Sequence, residues 1–204
     1  MSVINSANNF SRERKKIRKS TVGSTGNQKG VFFIELCFVL TMLSVIIFLT
    51  IDIVVKQSVK GKLDRLSYSL VSVLRERSQL FDGDETMTYD EATKSLALIQ
   101  NSLRSTLATY EDSRLGLLIE QQRFDANKNE ISQNINEHIF AMGSYPCNNT
   151  TPLSELIDLS PVTQFDNKLT LYQVTLCYET ENLFGRLFGG ELVFVRSTAL
   201  SFGR

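Results

Sequence analysis

The chain is poor in the side chains from which active sites are built. Its 204 residues include one histidine, His138, and three cysteines, and no Cys, Asp or Glu cluster around His138 has metal-ligand spacing. No G-x-S-x-G nucleophile turn and no G-x-x-x-x-G-K-[ST] phosphate loop occurs. No catalytic residue, cofactor or metal is therefore expected, and an outer-domain enzyme ranks third among the readings of this chain. No A-x-A pattern follows the first apolar run either, so cleavage there as a secretory signal is not expected. Net charge is also missing, with 22 basic and 22 acidic residues, but the balance is uneven. Residues 1–30 hold Arg12, Arg14, Lys15, Lys16, Arg18, Lys19 and Lys29 against Glu13, a net of +6, which leaves 15 basic and 21 acidic groups, a net of −6, in the rest. The basic leader has no interleaved aromatics or binding module, so nucleic acid is not an expected partner. A mitochondrial presequence fits poorly because the run that follows is too apolar for a matrix protein.

What the chain does have is one long apolar run from Gly30 to Lys56, GVFFIELCFVLTMLSVIIFLTIDIVVK. A helix over residues 31–55 would rise about 37 Å, enough to cross a hydrocarbon core of about 30 Å. Basic residues before a span favour a cytoplasmic N-terminus. The expected organisation is a disordered basic leader over 1–30, a transmembrane helix over 31–55 and an extracytoplasmic head over 56–204. Glu35 stands out, because an ionised group inside the span costs about 2.5 to 3.5 kcal/mol on insertion scales and calls for compensation. Asp52 lies near Lys56, where an ion pair or plain solvation would account for it. Cys37, Thr41 and Ser44 share one stripe, which either permits close helix contact or reflects hydroxyls bonding to their own backbone.

Beyond the span the helical pattern continues. Val59, Leu63, Leu66, Leu70, Val73 and Leu80 form a heptad-like seam with Arg77 in the skipped position, so one helix is expected to about Phe81, with Gly61 as the likeliest bend. Residues 82–86, DGDET, read as a loop. Thr88 and Glu91 match a capping box opening a second helix to about Tyr110, with Ala92, Leu96, Ile99, Leu103 and Ala108 on its apolar face. Alternating Leu115, Leu117 and Ile119 suggest a strand ending near Phe124, followed by the polar, irregular stretch DANKNEISQNINEH. Residues 169–178 and 192–202 read as further strands, separated by the glycine-bearing ENLFGRLFGG. An antiparallel sheet packed on the outer half of the long helix, burying one face of each strand, makes the head α+β. Cys147 and Cys177 both fall in the outer part, where oxidising conditions favour a disulfide, the alternatives being two free buried thiols or a pair too far apart to bond. Cys37 needs no chemical role. The two sequons in Asn148-Asn149-Thr150-Thr151 read as ordinary polar loop.

Gln28-Lys29-Gly30-Val31-Phe32-Phe33-Ile34-Glu35 resembles the prepilin peptidase site of type IV pilins and pseudopilins. The C-terminal stretch LTLYQVTLCYETENLFGRLFGGELVFVRSTALSFGR resembles TadE/TadF-like pseudopilins of the tight adherence (Tad) pilus system, the TadF branch in particular. The likeness covers residues 29–56 well and 169–204 moderately; Val31 stands where many type IV pilins carry Phe, and the leader is long for the group. It implies a pilin-like fold, leader removal between Gly30 and Val31, and a docking role for Glu35 against the new amine of a neighbouring subunit. It also implies partners: prepilin peptidase, other pilins or pseudopilins, pilus assembly proteins and the membrane. The implied place is the bacterial inner membrane, single-pass, with a periplasmic head; residence in the membrane and entry into a surface pilus are both left open. The implied role is a minor pilin assisting assembly of an adherence pilus, not an enzyme. The competing reading is a bitopic sensor or anchoring protein whose outer domain binds a ligand or partner.

Overall fold

A computed structural model of the chain describes residues 28–80, 84, 86–131, 138–181 and 194–203. Residues 1–27 of the leader, Phe81, most of DGDET, residues 132–137, the glycine-bearing segment after Glu181 and Arg204 lie outside the described residues. Two compact units are present, Met1–Ile46 and Ile47–Arg204.

Helix α1 runs Gln28–Arg75, and after Glu76 a single turn, α2, runs Arg77–Leu80. All three prolines of the chain lie at 146, 152 and 161, so nothing in α1 removes a helical donor. Gly61 lies within the unbroken helix; the interruption falls at Glu76 instead. The buried stripe on α1 is Val59, Leu63, Ser67, Leu70, Val71 and Leu74, and on α2 Arg77. This corrects the seam: Val73 and Leu80 are 54% and 61% exposed. A straight helix repeats every 3.6 residues, so the face centred on Leu63 drifts off a 3.5-residue pattern and, three turns on, reaches Leu74 rather than Val73.

Helix α3, Tyr89–Thr106, opens with the expected box: the Thr88 hydroxyl accepts from the Glu91 amide and the Glu91 carboxylate accepts from the Thr88 amide. It ends four residues before Tyr110, its last turn closed by the Leu107 amide donating to the Leu103 carbonyl. Ala92, Ile99 and Leu103 are buried, as is Ser95.

Four antiparallel strands, β1 Leu115–Gln122, β2 Ile139–Gly143, β3 Leu171–Glu179 and β4 Phe194–Phe202, pair in the order β2-β1-β3-β4. One face rests on the outer half of α1 and on α3, where Leu63, Leu103, Leu115, Leu117, Ile119 and Leu176 are sealed from solvent. Burying each of these side chains stabilises the fold by about 1.5 to 3 kcal/mol. The expected burial of one face per strand holds for β2 and β4. β1 and β3 are buried on both faces, because Leu118 and Cys177 sit beneath a segment carrying Tyr145 and Cys147. β2 is an additional strand; its five residues are too short a run to stand out beside the polar stretch preceding it.

Gly116 shows how closely that covering segment lies on the sheet. A Cβ there would stand 2.2 Å from the Tyr145 carbonyl oxygen and 2.9 Å from Cys147 Cβ. Gly116→Ala should therefore force backbone apart and lower stability by about 2 kcal/mol, within the usual range for overpacking. A urea titration matching that of the native chain would refute this.

Candidate assembly site

The N-terminal part of α1 presents an apolar surface with a single acid in it. Every residue from Gly30 to Ile51 is exposed, and the most apolar 18-residue window of the helix has a mean hydropathy of 2.7 with none of it buried. This is the one helix among the described residues long and apolar enough to cross a membrane. Gly30 and Val31 lie in its opening turns, where backbone amides have no partner one turn earlier. Glu35 follows, exposed between Ile34 and Leu36, with no partner for its carboxylate among the described residues. The Thr41 hydroxyl donates to the Cys37 carbonyl and the Ser44 hydroxyl to the Thr41 carbonyl, both at 2.8 Å, so both bond back into their own helix. Cys37 carries an exposed free thiol. At the other end of the apolar run Asp52 and Lys56 form an ion pair, Nζ to Oδ2 at 2.6 Å. Both groups are largely covered, so this contact is more than plain solvation.

The head is held by two cross-links of different chemistry. Cys147 and Cys177 are joined by a disulfide that ties the covering segment to β3 across 30 residues of sequence. The second link surrounds Arg77, whose side chain is 4% exposed. Its guanidinium donates to both Glu91 carboxylate oxygens, at 2.9 and 2.8 Å, and to the Thr86 carbonyl at 2.7 Å. Glu91 therefore both caps α3 and neutralises the buried cation. Sequence reasoning left Arg77 as a gap in the apolar seam; an arginine at a core-facing position is itself the signal of a paired buried charge.

Burial pushes the Glu91 carboxyl up, but the Thr88 amide, the Arg77 guanidinium and the Thr88 hydroxyl together hold it below its ordinary 4.5. A carboxyl lowered on folding contributes stability that is present above its unfolded pKa and lost as pH falls through the folded one. Head stability should thus decline as pH drops below about 4.5, and Glu91→Gln should flatten that decline. Urea titrations across the acid range test this, an unchanged pH profile counting against it. Glu120 behaves oppositely. Burial raises its pKa against hydrogen bonds from the Leu153 amide and the Asn149 side chain, and against the field of His138.

His138 lies beside the start of β2, and among the described residues no group of three His, Cys, Asp or Glu side chains could hold a metal ion. Asn149, inside the sequon pair, donates to Glu120. A shallow groove between α1 and α3 is lined by Leu66, Leu70, Val73, Leu98 and Ile99 together with Ser69 and Ser95, the latter hydroxyl donating to the Glu91 carbonyl of its own helix.

Compared with known proteins, residues 25–204 match the family model TadF, described as "Putative tight adherence pilin protein F". No curated protein and no solved structure matches the chain.

Proposed function

The chain belongs to the TadF family of tight adherence pilin proteins, and on that footing we propose that it is a minor pilin or pseudopilin that helps assemble a Tad-type adherence pilus. The observation that carries the reading is the apolar helix α1, uncovered from Gly30 to Ile51 and interrupted by Glu35. Such a surface is satisfied by lipid and by neighbouring helices, and an acid within it asks for a cationic partner. The leader lies in the cytoplasm and the α+β head in the periplasm. Prepilin peptidase cuts between Gly30 and Val31. Two features favour cutting there: glycine is about 1 kcal/mol less favourable in a helix than alanine, and the first turn has few bonds to lose.

Cleavage creates an amine at Val31, and Glu35 of one subunit docks with that amine in another. Opposite unit charges about 4 Å apart attract by about 4 kcal/mol at an effective dielectric near 20. That is of the same order as the cost of inserting the carboxylate, so the pair offsets in the assembly what Glu35 costs in isolation. The protein is a substrate of the peptidase and a structural component, with no catalysis of its own.

Mass spectrometry of membrane-extracted protein should find Val31 at the mature N-terminus in cells with the peptidase, and an uncut leader in cells without it. An intact leader in both would refute processing. Glu35→Ala should still insert and be cut, yet reduce piliation at least several-fold; normal piliation would remove the docking role.

A further inference from the structure

The two edges of the sheet differ in how they are guarded. Edge strands usually carry lysine, proline, inward charges or a bulge, or are kept short, because an open row of amides and carbonyls recruits another strand. β2 is five residues long and ends at Gly143 with φ +92. β4 is nine residues, FVRSTALSF, with no proline, lysine or acid; its one charge, Arg196, is drawn back over its own head to donate to the Asn148 carbonyl at 2.8 Å, and the strand pairs with β3 without a bulge. Among the described residues no strand lies on its outer side.

Which groups β4 offers follows from its register. The Gly203 amide donates to the Thr170 carbonyl at 2.7 Å, so at that position the amide points to β3. Direction alternates along an antiparallel ladder, so residues 201, 199, 197 and 195 also turn their amides and carbonyls to β3. Phe194, Arg196, Thr198, Leu200 and Phe202 turn theirs outward. The side chains divide in the same way. Val195 and Ala199 pack on the core and the Ser197 hydroxyl meets that of Ser67 at 2.9 Å. Phe194, Thr198, Leu200 and Phe202 are exposed, the two phenylalanines 50% and 48%.

We propose that β4 pairs with β4 of a second copy of this chain, antiparallel about a two-fold axis at Thr198. The five outward-facing residues are spaced symmetrically about that position, so the same set faces itself after a half-turn. Thr198 then opposes its own equivalent, Arg196 opposes Leu200, and Phe194 opposes Phe202. All of these are hydrogen-bonded pairs, giving about ten bonds along the contact. The cross-strand phenylalanine pairs cover apolar surface at both ends of the contact. Such an isologous contact closes on itself as a dimer, joining two β2-β1-β3-β4 sheets into one of eight strands. It goes beyond the pilin reading and does not depend on leader cleavage or on Glu35.

The test uses the full chain in lipid nanodiscs or detergent, on a Cys37→Ser background so that the single added thiol is the reactive one. Thr198→Cys should be cross-linked to a dimer by a short bismaleimide. Leu200→Cys should react several-fold more slowly, since its equivalents stand about 14 Å apart along the strands. Thr198→Pro removes an outward donor and leaves the backbone bonds to β3 in place, losing on that side only the hydroxyl contact with Thr175, and should lower the dimer fraction several-fold by light scattering while Cys147–Cys177 still forms and unfolding stays cooperative. Three results would overturn the contact: Thr198→Cys remaining uncrosslinked, Leu200→Cys reacting as fast, or Thr198→Pro leaving the dimer unchanged. Cross-linking of Thr198→Cys only to a different pilin would overturn it in favour of an unlike strand on the same edge.

Discussion

Arg77→Ala should lower the stability of the head by about 3 kcal/mol, one of the two largest losses expected from this fold. Breaking a buried ion pair by removing one partner typically costs about 3 to 5 kcal/mol, because the remaining charge loses its counter-ion without regaining water. The lower end applies here, since the Glu91 side chain is 20% exposed and is partly solvated when left alone. The Thr86 carbonyl also loses its donor, and the capping carboxylate loses a cation that, after the Thr88 amide, helps hold it below its ordinary pKa. For a unit spanning Ile47–Arg204 the loss corresponds to a fall in Tm of roughly 6 to 12 °C. The double variant Arg77→Met with Glu91→Gln should recover part of it, because a neutral pair leaves no isolated charge. An Arg77→Ala Tm within about 2 °C of the native chain, a change of under 1 kcal/mol, would show that the pair contributes little.

Removing the disulfide should cost a similar amount by another route. With Cys147 and Cys177 both changed to serine, the unfolded chain regains the freedom of a loop of 30 residues, which the chain-entropy account puts at roughly 3 to 4 kcal/mol. The effect should concentrate on the segment over β1 and β3, whose apolar contact with the sheet is small: Leu118, the two cysteines and part of Ile139 and Tyr145. Hydrogen exchange should therefore rise over residues 144–160 and beneath them on β1 more than on α3. A drop in Tm of roughly 7 to 14 °C is expected. Uniform exchange across the head, or an unchanged Tm, would contradict the role given to this bond. Because Arg77–Glu91 ties helices and the disulfide ties the covering segment to the sheet, the two losses should add when combined.

How far the fold could be read from the chain depended on the range of the signal. The capping box at Thr88 and Glu91 is local chemistry, three residues apart, and it appears in the structure as read. So does the long helix, since 48 residues without proline and with a dense apolar run leave few alternatives. The α+β class and the placing of three strands near 115–122, 171–179 and 194–202 followed from a change of period and from segments rich in Thr, Tyr and Val. The failures were non-local. The seam on α1 was assigned by a heptad spacing that suits a supercoil, whereas the surface it meets is a twisted sheet with one more helix, and the contact followed the helix's own 3.6-residue period to Leu74. β2 escaped notice because a five-residue edge strand takes its stability from β1 rather than from its own pattern. The double burial of β1 and β3 depended on a covering segment of no regular structure, which alternation cannot announce.

The family was likewise legible in two short stretches, around Gly30–Glu35 and after Leu169, and the family match extends over residues 25–204. Glu35 needed no structure to be noticed, because a charge in an apolar run is anomalous in one dimension. By itself the sequence determined the apolar helix, its lone acid, the capped second helix and the α+β class, all of which arise from neighbours within one or two turns. Only the tertiary structure decided that Arg77 meets Glu91, that Gly116 lies under Tyr145 and Cys147, and that β4 is an edge strand of the sheet among the described residues. Those depend on groups far apart in the chain being packed to within a few ångströms of one another, where the cost of a misplaced atom or an unpaired charge selects one arrangement.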